Sequence, residues 1–210
     1  MKKIIGVTFY DLIKYGSNID TIIKKNDMEL LSSKIETKMT HFTTVLFFQK
    51  NFITLSSALF LMMISWIFII VTALKGINTK ELPGLYFGLY MLTVMPYVFF
   101  YIASVFLIAR GITLGLKLIH FTFMFILVMA TVFSLYYLNE IFLSDVFSTS
   151  DVVNVTLIIL PLYFCRLILN TNLIKKAVLW TINERARKEY LKLFLANYQS
   201  PRKKRKLRVG

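Results

Sequence analysis

Four runs of this chain stay apolar for bilayer-length stretches: roughly 52–74 (FITLSSALFLMMISWIFIIVTAL), 85–109, 118–139 and 152–174. A helix rises ~1.5 Å per residue, so runs of this kind can cross a hydrocarbon core ~30 Å thick. None of them alternates polar and apolar positions in the ~10-residue segments of a membrane barrel. The pattern predicts an all-α integral membrane protein built as a four-transmembrane-helix bundle.

Outside these runs the pattern turns amphipathic. Met28, Leu31, Ile35, Met39, Phe42 and Leu46 recur at helical steps before the first span, and Leu179, Ile182, Ala186, Tyr190 and Phe194 do so after the fourth. No Gly or Pro, the commonest helix breakers, occurs from Ser17 to Lys75 or from Leu162 to Ser200. Helices 1 and 4 are therefore expected to extend beyond the membrane, with a bend at residues 170–172 and a stop at Pro201. This divides the chain into a basic amphipathic arm (1–50), the bundle (51–174), a helical extension (175–200) and a basic tail (201–210). Two readings of the extensions stand side by side. Basic amphipathic helices lie on anionic lipid, or their apolar stripes pack on each other or on a partner.

Only 17% of the residues are charged, against ~25% in an ordinary soluble domain, and basic residues dominate, 25 to 11. The N-terminal arm carries eight lysines and the segment after residue 174 carries twelve Lys/Arg. The 2–3 connection adds Arg110 and Lys117. The 1–2 loop has Lys75 and Lys80 against Glu81, and the 3–4 loop, with Asp145 and Asp151, has no basic residue. Basic residues stay inside, so both termini are expected on the cytoplasmic or matrix side of an inner membrane. Asp11 and Lys14 interrupt the first apolar stretch, so no cleaved leader is expected. The single cysteine, Cys165, rules out a disulfide within the chain.

Each span also keeps one face for polar or small groups. On the second, Tyr86, Tyr90, Thr93, Tyr97, Tyr101 and Ser104 follow one another at helical steps. Greasy side chains gain nothing by leaving lipid, so such faces are expected to meet protein. They either seal the bundle by hydrogen bonds or line a wetted pore. Gly84 and Gly88 form a G-x-x-x-G notch for close helix approach.

On the fourth span Tyr163, Arg166 and Asn170 share a face. An intramembrane charge costs ~2.5 kcal/mol or more. Arg166 is thus expected either to snorkel to the headgroups or to meet a partner's carboxylate. Residues 166–170, RLILN, resemble the R-L-x-x-N signature of the proton-path helix of ATP synthase subunit a. The resemblance covers those five residues. The family's following small-residue and Gly-His portion is replaced here by TNLIKK, so it implies no proton path.

Arg185, Arg187, Lys188 and Lys192 on the extension, with Arg202, Lys203, Lys204, Arg205, Lys206 and Arg208 in the tail, are the expected contacts to anionic lipid or an acidic partner. No aromatic residue interleaves the tail charges, so nucleic acid is not expected as a partner. The chain contains no G-x-x-x-x-G-K-[ST], G-x-S-x-G, H-E-x-x-H or C-x-x-C motif. His41 and His120 alone are a poor metal set. No enzyme activity and no cofactor are expected. The leading expectation is a non-catalytic subunit of a larger membrane assembly. The alternative is a homo-oligomeric ion channel or membrane-permeabilising effector.

Overall fold

The computed structural model describes residues 2–35, 44–75, 83–144 and 149–206, with side chains at 4–35, 53–74, 84–139 and 152–196. They form helices α1 (Lys2–Ile5), α2 (Val7–Lys25), α3 (Met28–Lys34), α4 (Thr44–Lys75), α5 (Pro83–Ala109), α6 (Thr113–Ser144), α7 (Thr149–Leu169) and α8 (Asn172–Lys206). No strand occurs among the described residues. Four helices are long and apolar enough to span a bilayer, over Ile53–Leu74, Gly84–Ala109, Thr113–Asn139 and Val152–Leu169. The protein is a helical, multi-pass membrane protein. The third span starts earlier and the fourth ends earlier than hydropathy predicts, because turns set their ends.

These turns have identifiable causes. Gly111 (φ 71°) takes the left-handed conformation at the end of α5. Its N–H bonds the Ile108 carbonyl and the Ile112 N–H reaches back to Leu107, both at 2.9 Å. That satisfies carbonyls a helix end would otherwise leave orphaned. Asn26 (φ 54°) ends α2 in the same way, with its own N–H on Ile23 and that of Asp27 on Ile22. The Asp27 carboxylate then caps α3 by accepting from the Leu30 N–H at 3.0 Å. Asn26-Asp27 is thus a stop followed by a start, which breaks the Gly- and Pro-free segment that leads towards helix 1. Of the stripe assigned to that helix, Leu31 is buried, while Met39 and Phe42 lie outside the described residues and nothing is described of the Leu46 side chain.

The main amphipathic element of the arm is instead α2, whose Phe9, Leu12, Gly16, Ile19 and Ile22 are buried. Gly16 reads as a breaker in sequence but lies inside the helix. A Cβ there would stand 2.9 Å from Thr113 Cγ2 and 3.1 Å from Ile182 Cδ1, so its role is close approach. The facing seam on α8 is Ile174, Val178, Ile182 and Ala186. Of the predicted α8 stripe, Ile182 and Ala186 are buried, Leu179 and Tyr190 partly so, and Phe194 is exposed. The α8 helix also runs past Pro201 to Lys206. A proline removes one hydrogen bond and bends a helix without having to end it.

Within the bundle α4 packs most extensively on α7, and α5 on α6. The α8 helix touches α2, α3, α4 and α5, while α1 and α2 reach α6. The arm and α8 thus make a second layer at the end of the bundle that holds the α5–α6 turn.

Gly84 and Gly88 are not a close-approach site within the chain: a Cβ at either would meet nothing within 4 Å. Both are exposed, since α5 is the outermost of the spans. We predict that Gly16→Leu lowers stability by about 1–3 kcal/mol through overpacking. Gly84→Leu should stay within about 0.5 kcal/mol of wild type. Thermal unfolding in mild detergent checks both.

Candidate functional site

The polar face of α5 looks at α4. The Tyr97 hydroxyl donates to the Leu59 carbonyl at 2.6 Å, and the Tyr101 hydroxyl to Ser56 Oγ at 3.1 Å. The Trp66 indole N–H donates to the Thr93 carbonyl at 3.2 Å. The Thr93 hydroxyl bonds carbonyls of its own helix, at Leu89 and Tyr90. Ser104 is buried where Gly115 of α6 comes against its carbonyl. Tyr86 and Tyr90 are half-buried nearer the start of α5. On α4, Ser65 donates to the Ile158 carbonyl of α7 at 2.7 Å. These bonds staple α4 to its neighbours in a medium that offers no other partner.

Two joints tie the second layer to the bundle. In the first, the Asn170 carboxamide lies in the α7–α8 turn. Its Nδ2 donates to the Ile5 carbonyl at 2.7 Å and to Arg166 at 2.8 Å, while its Oδ1 accepts from the Phe9 N–H at 3.3 Å. Gly6 (φ 110°) separates α1 from α2 at this point, and a Cβ there would overlap the carboxamide. The Asn170 carboxamide is therefore bonded within its own chain.

The second joint is Arg185. It pairs with Asp20 of α2 at 2.5 Å and donates to the Gly111 carbonyl at 3.2 Å. One guanidinium thus joins α8, α2 and the α5–α6 turn, so Arg185 acts as a clamp within the chain. Tyr15 adds a bond to the buried Asn183 at 2.8 Å. Sequence reading missed Asp20 and Gly6, although Asp20 lies on a helical step from Gly16 and its buried seam.

The other predicted cations stay near the surface. Arg187 pairs with Glu184 at 3.1 Å, Lys188 with the same residue at 3.8 Å, and Lys192 with Glu189 at 2.7 Å. Lys188 and Lys192 border a cleft of about 510 Å³ that also includes Arg110 and Trp180. The Arg110 guanidinium sits 4.1 Å from the Phe106 ring centre, a cation–π contact. The side chains of Arg202, Lys203, Lys204, Arg205 and Lys206, and all of Arg208, lie outside the described residues.

The α6 and α7 helices leave a second groove of about 430 Å³ between them. Its walls are apolar, with Tyr163 on one side and Arg166 at one end. Tyr163 is exposed and stands edge-on to Phe164. Arg166 lies in the last turn of α7, which ends at Leu169. It is therefore near the end of its span, where hydropathy alone had set it deeper. Among the described residues no group of three or more His, Cys, Asp or Glu is placed to hold a metal.

Asn170→Ala strands the Ile5 carbonyl and the Phe9 N–H. We predict a loss of about 1–3 kcal/mol, with amide exchange of α2 accelerating before that of α4. A double-mutant cycle of Asp20→Asn and Arg185→Gln should return a coupling of up to about 1 kcal/mol. Exchange mass spectrometry and detergent unfolding are the measurements.

No family model, curated protein or solved structure matches this chain.

Proposed function

We propose that this protein is a non-catalytic integral membrane subunit of a larger assembly, with both termini on the cytoplasmic or matrix side. The four spans anchor it, and the α2–α8 layer is the surface it offers to an acidic partner or anionic lipid. One observation carries the reading: Arg185 locks α8, α2 and the α5–α6 turn together. A basic helix that merely lay on lipid would need no such joint to the bundle. With its apolar seam buried against α2, α8 turns Arg187, Lys188 and Lys192 outward, where they can steer and hold an acidic surface.

The pore alternative draws less support. Its lining was to be the α5 hydroxyl face, but Tyr97 and Tyr101 spend their hydroxyls on α4. The outward face of α5 presents Phe87, Leu92, Phe99 and Phe106, which suit lipid or protein rather than water.

Extraction in mild detergent followed by native mass measurement tests the proposal. The expected result is a mass above that of this chain alone, reduced by Lys188→Glu with Lys192→Glu. Those exposed substitutions should change stability by no more than about 0.5 kcal/mol each. A bare monomer, or a pure homo-oligomer that conducts ions when reconstituted, would overturn it.

A further inference from the structure

At the end of α5 the span gives way to the cleft between the α5–α6 turn and α8. Ala109 and Arg110 form one wall, and Trp180, Glu184, Lys188 and Leu191 of α8 the other. Most of the charges here are matched. Arg185 is paired with Asp20, Lys188 with Glu184 and Lys192 with Glu189. Glu184 is shared with Arg187, so the balance leans to the positive side. Of the cations that line the cleft, Arg110 has no carboxylate or hydrogen-bond acceptor on its guanidinium among the described residues.

That guanidinium is also held in place. The Phe106 ring, 4.1 Å from it, covers one of its faces. Stacking uses the flat face and leaves the N–H donors at the edge, the geometry that takes a phosphate through two parallel bonds. The depth suits a headgroup, since the span runs over Gly84–Ala109 and Arg110 is the first residue past it. Behind Arg110, Phe106, Ile102 and Phe99 follow at steps of four, four and three, and all are exposed. From Phe99 to Arg110 the helix rises ~16 Å, about the ~15 Å depth of one leaflet's hydrocarbon. An unmatched cation thus stands at the foot of an outward-facing apolar track on the outermost span.

We propose that this cleft and track bind one anionic phospholipid of the α8-side leaflet. Arg110 holds the phosphate, and an acyl chain lies along Phe106, Ile102 and Phe99. The proposal rests on the reading of the α8 layer as a face for acidic groups, and it names the group and the residue that takes it. A carboxylate on a partner's helix is the competing occupant. Contacts between membrane helices favour small residues, whereas this track is of Phe and Ile. Basic pockets beside spans on the inner side are where lipid headgroups bind. The surplus of positive charge favours an anionic lipid over a zwitterionic one.

The purified full chain is exchanged into mild detergent with equal amounts of phosphatidylglycerol and phosphatidylcholine of matched chains, and retained lipid is counted by native mass spectrometry. Wild type is expected to keep one phosphatidylglycerol in preference. Arg110→Gln should reduce that preference by about tenfold, the scale of one charge-assisted hydrogen bond, and Arg110→Lys should restore part of it. Glu189→Gln, which releases Lys192, should raise retention. Lys117→Gln removes an exposed cation outside the cleft and should change nothing. In vesicles, phosphatidylglycerol with a photoreactive group near the head of one chain should label the peptide containing Phe106 in wild type and much less in Arg110→Gln. Thermal unfolding of Arg110→Gln should match wild type, and Glu189→Gln tests the site by gain if it does not. A chain without partner subunits that still keeps the lipid supports this site and counts against the subunit reading alone. Equal retention by wild type and Arg110→Gln, an equal loss on Lys117→Gln, or release of the lipid by inorganic phosphate would each overturn the proposal. So would a co-purifying protein that alone is lost on Arg110→Gln.

Discussion

Hydrocarbon offers a polar group nothing to bond, and the rest of this structure follows from that constraint. A hydroxyl or indole N–H inside a span is stabilised by an acceptor in the protein, and among the described residues the buried Thr113 and Ser134 hydroxyls are exceptions. The Tyr97 hydroxyl on the Leu59 carbonyl and Ser65 on Ile158 are the two tightest examples between spans. Both make α4 the central helix, because α5 and α7 each bond to it. Packing follows the same order, with α4 against α7 as the largest contact. The bonds are individually modest, on the order of 0.6 kcal/mol in a membrane. Their weight lies in direction, since each fixes which faces of two otherwise uniform greasy helices meet.

At the end of the bundle that carries α2 and α8 the problem changes from satisfying side chains to satisfying helix ends. Asn26 and Gly111 do this with left-handed residues, and Asn170 with a carboxamide that serves two chain segments at once. The left-handed turn at Gly111 presents its carbonyl to Arg185. That guanidinium also meets Asp20, so a turn in the bundle and two amphipathic helices share one electrostatic joint. The pair itself contributes little energy, as partly exposed ion pairs do, and its weight lies in where it joins the segments. The joint gives the basic layer a fixed bearing on the spans.

The sites first suspected to face other molecules divide on this basis. Asn170 and Arg185 are used within the chain. Lys188 and Lys192 keep access to what surrounds the protein, although both have acidic neighbours. Gly84 and Gly88 lie open on the outermost helix. The close approaches fall instead to Gly16, Gly111 and Gly115, none of which forms a G-x-x-x-G pair with Gly84 or Gly88.

Hydropathy is a local property, so the four spans, and the bend at residues 170–172, were legible in the chain without any knowledge of contacts. The polar stripe of α5 was legible too, since helical spacing alone puts Tyr97 and Tyr101 on one side. Other features depend on which distant residue comes near. Gly16 reads as a breaker until Thr113 and Ile182 stand against it, and Asn26-Asp27 carried a stop–start signal that the wait for Gly or Pro passed over. Twelve basic residues after position 174 look alike in one dimension, yet Arg185 differs from Lys188 because Asp20 and the Gly111 carbonyl lie within its reach. Composition and periodicity state what each segment avoids, namely water or lipid. Which partner it finds instead is a matter of three-dimensional proximity, because hydrogen bonds and close packing act over a few ångströms and link residues far apart in the chain.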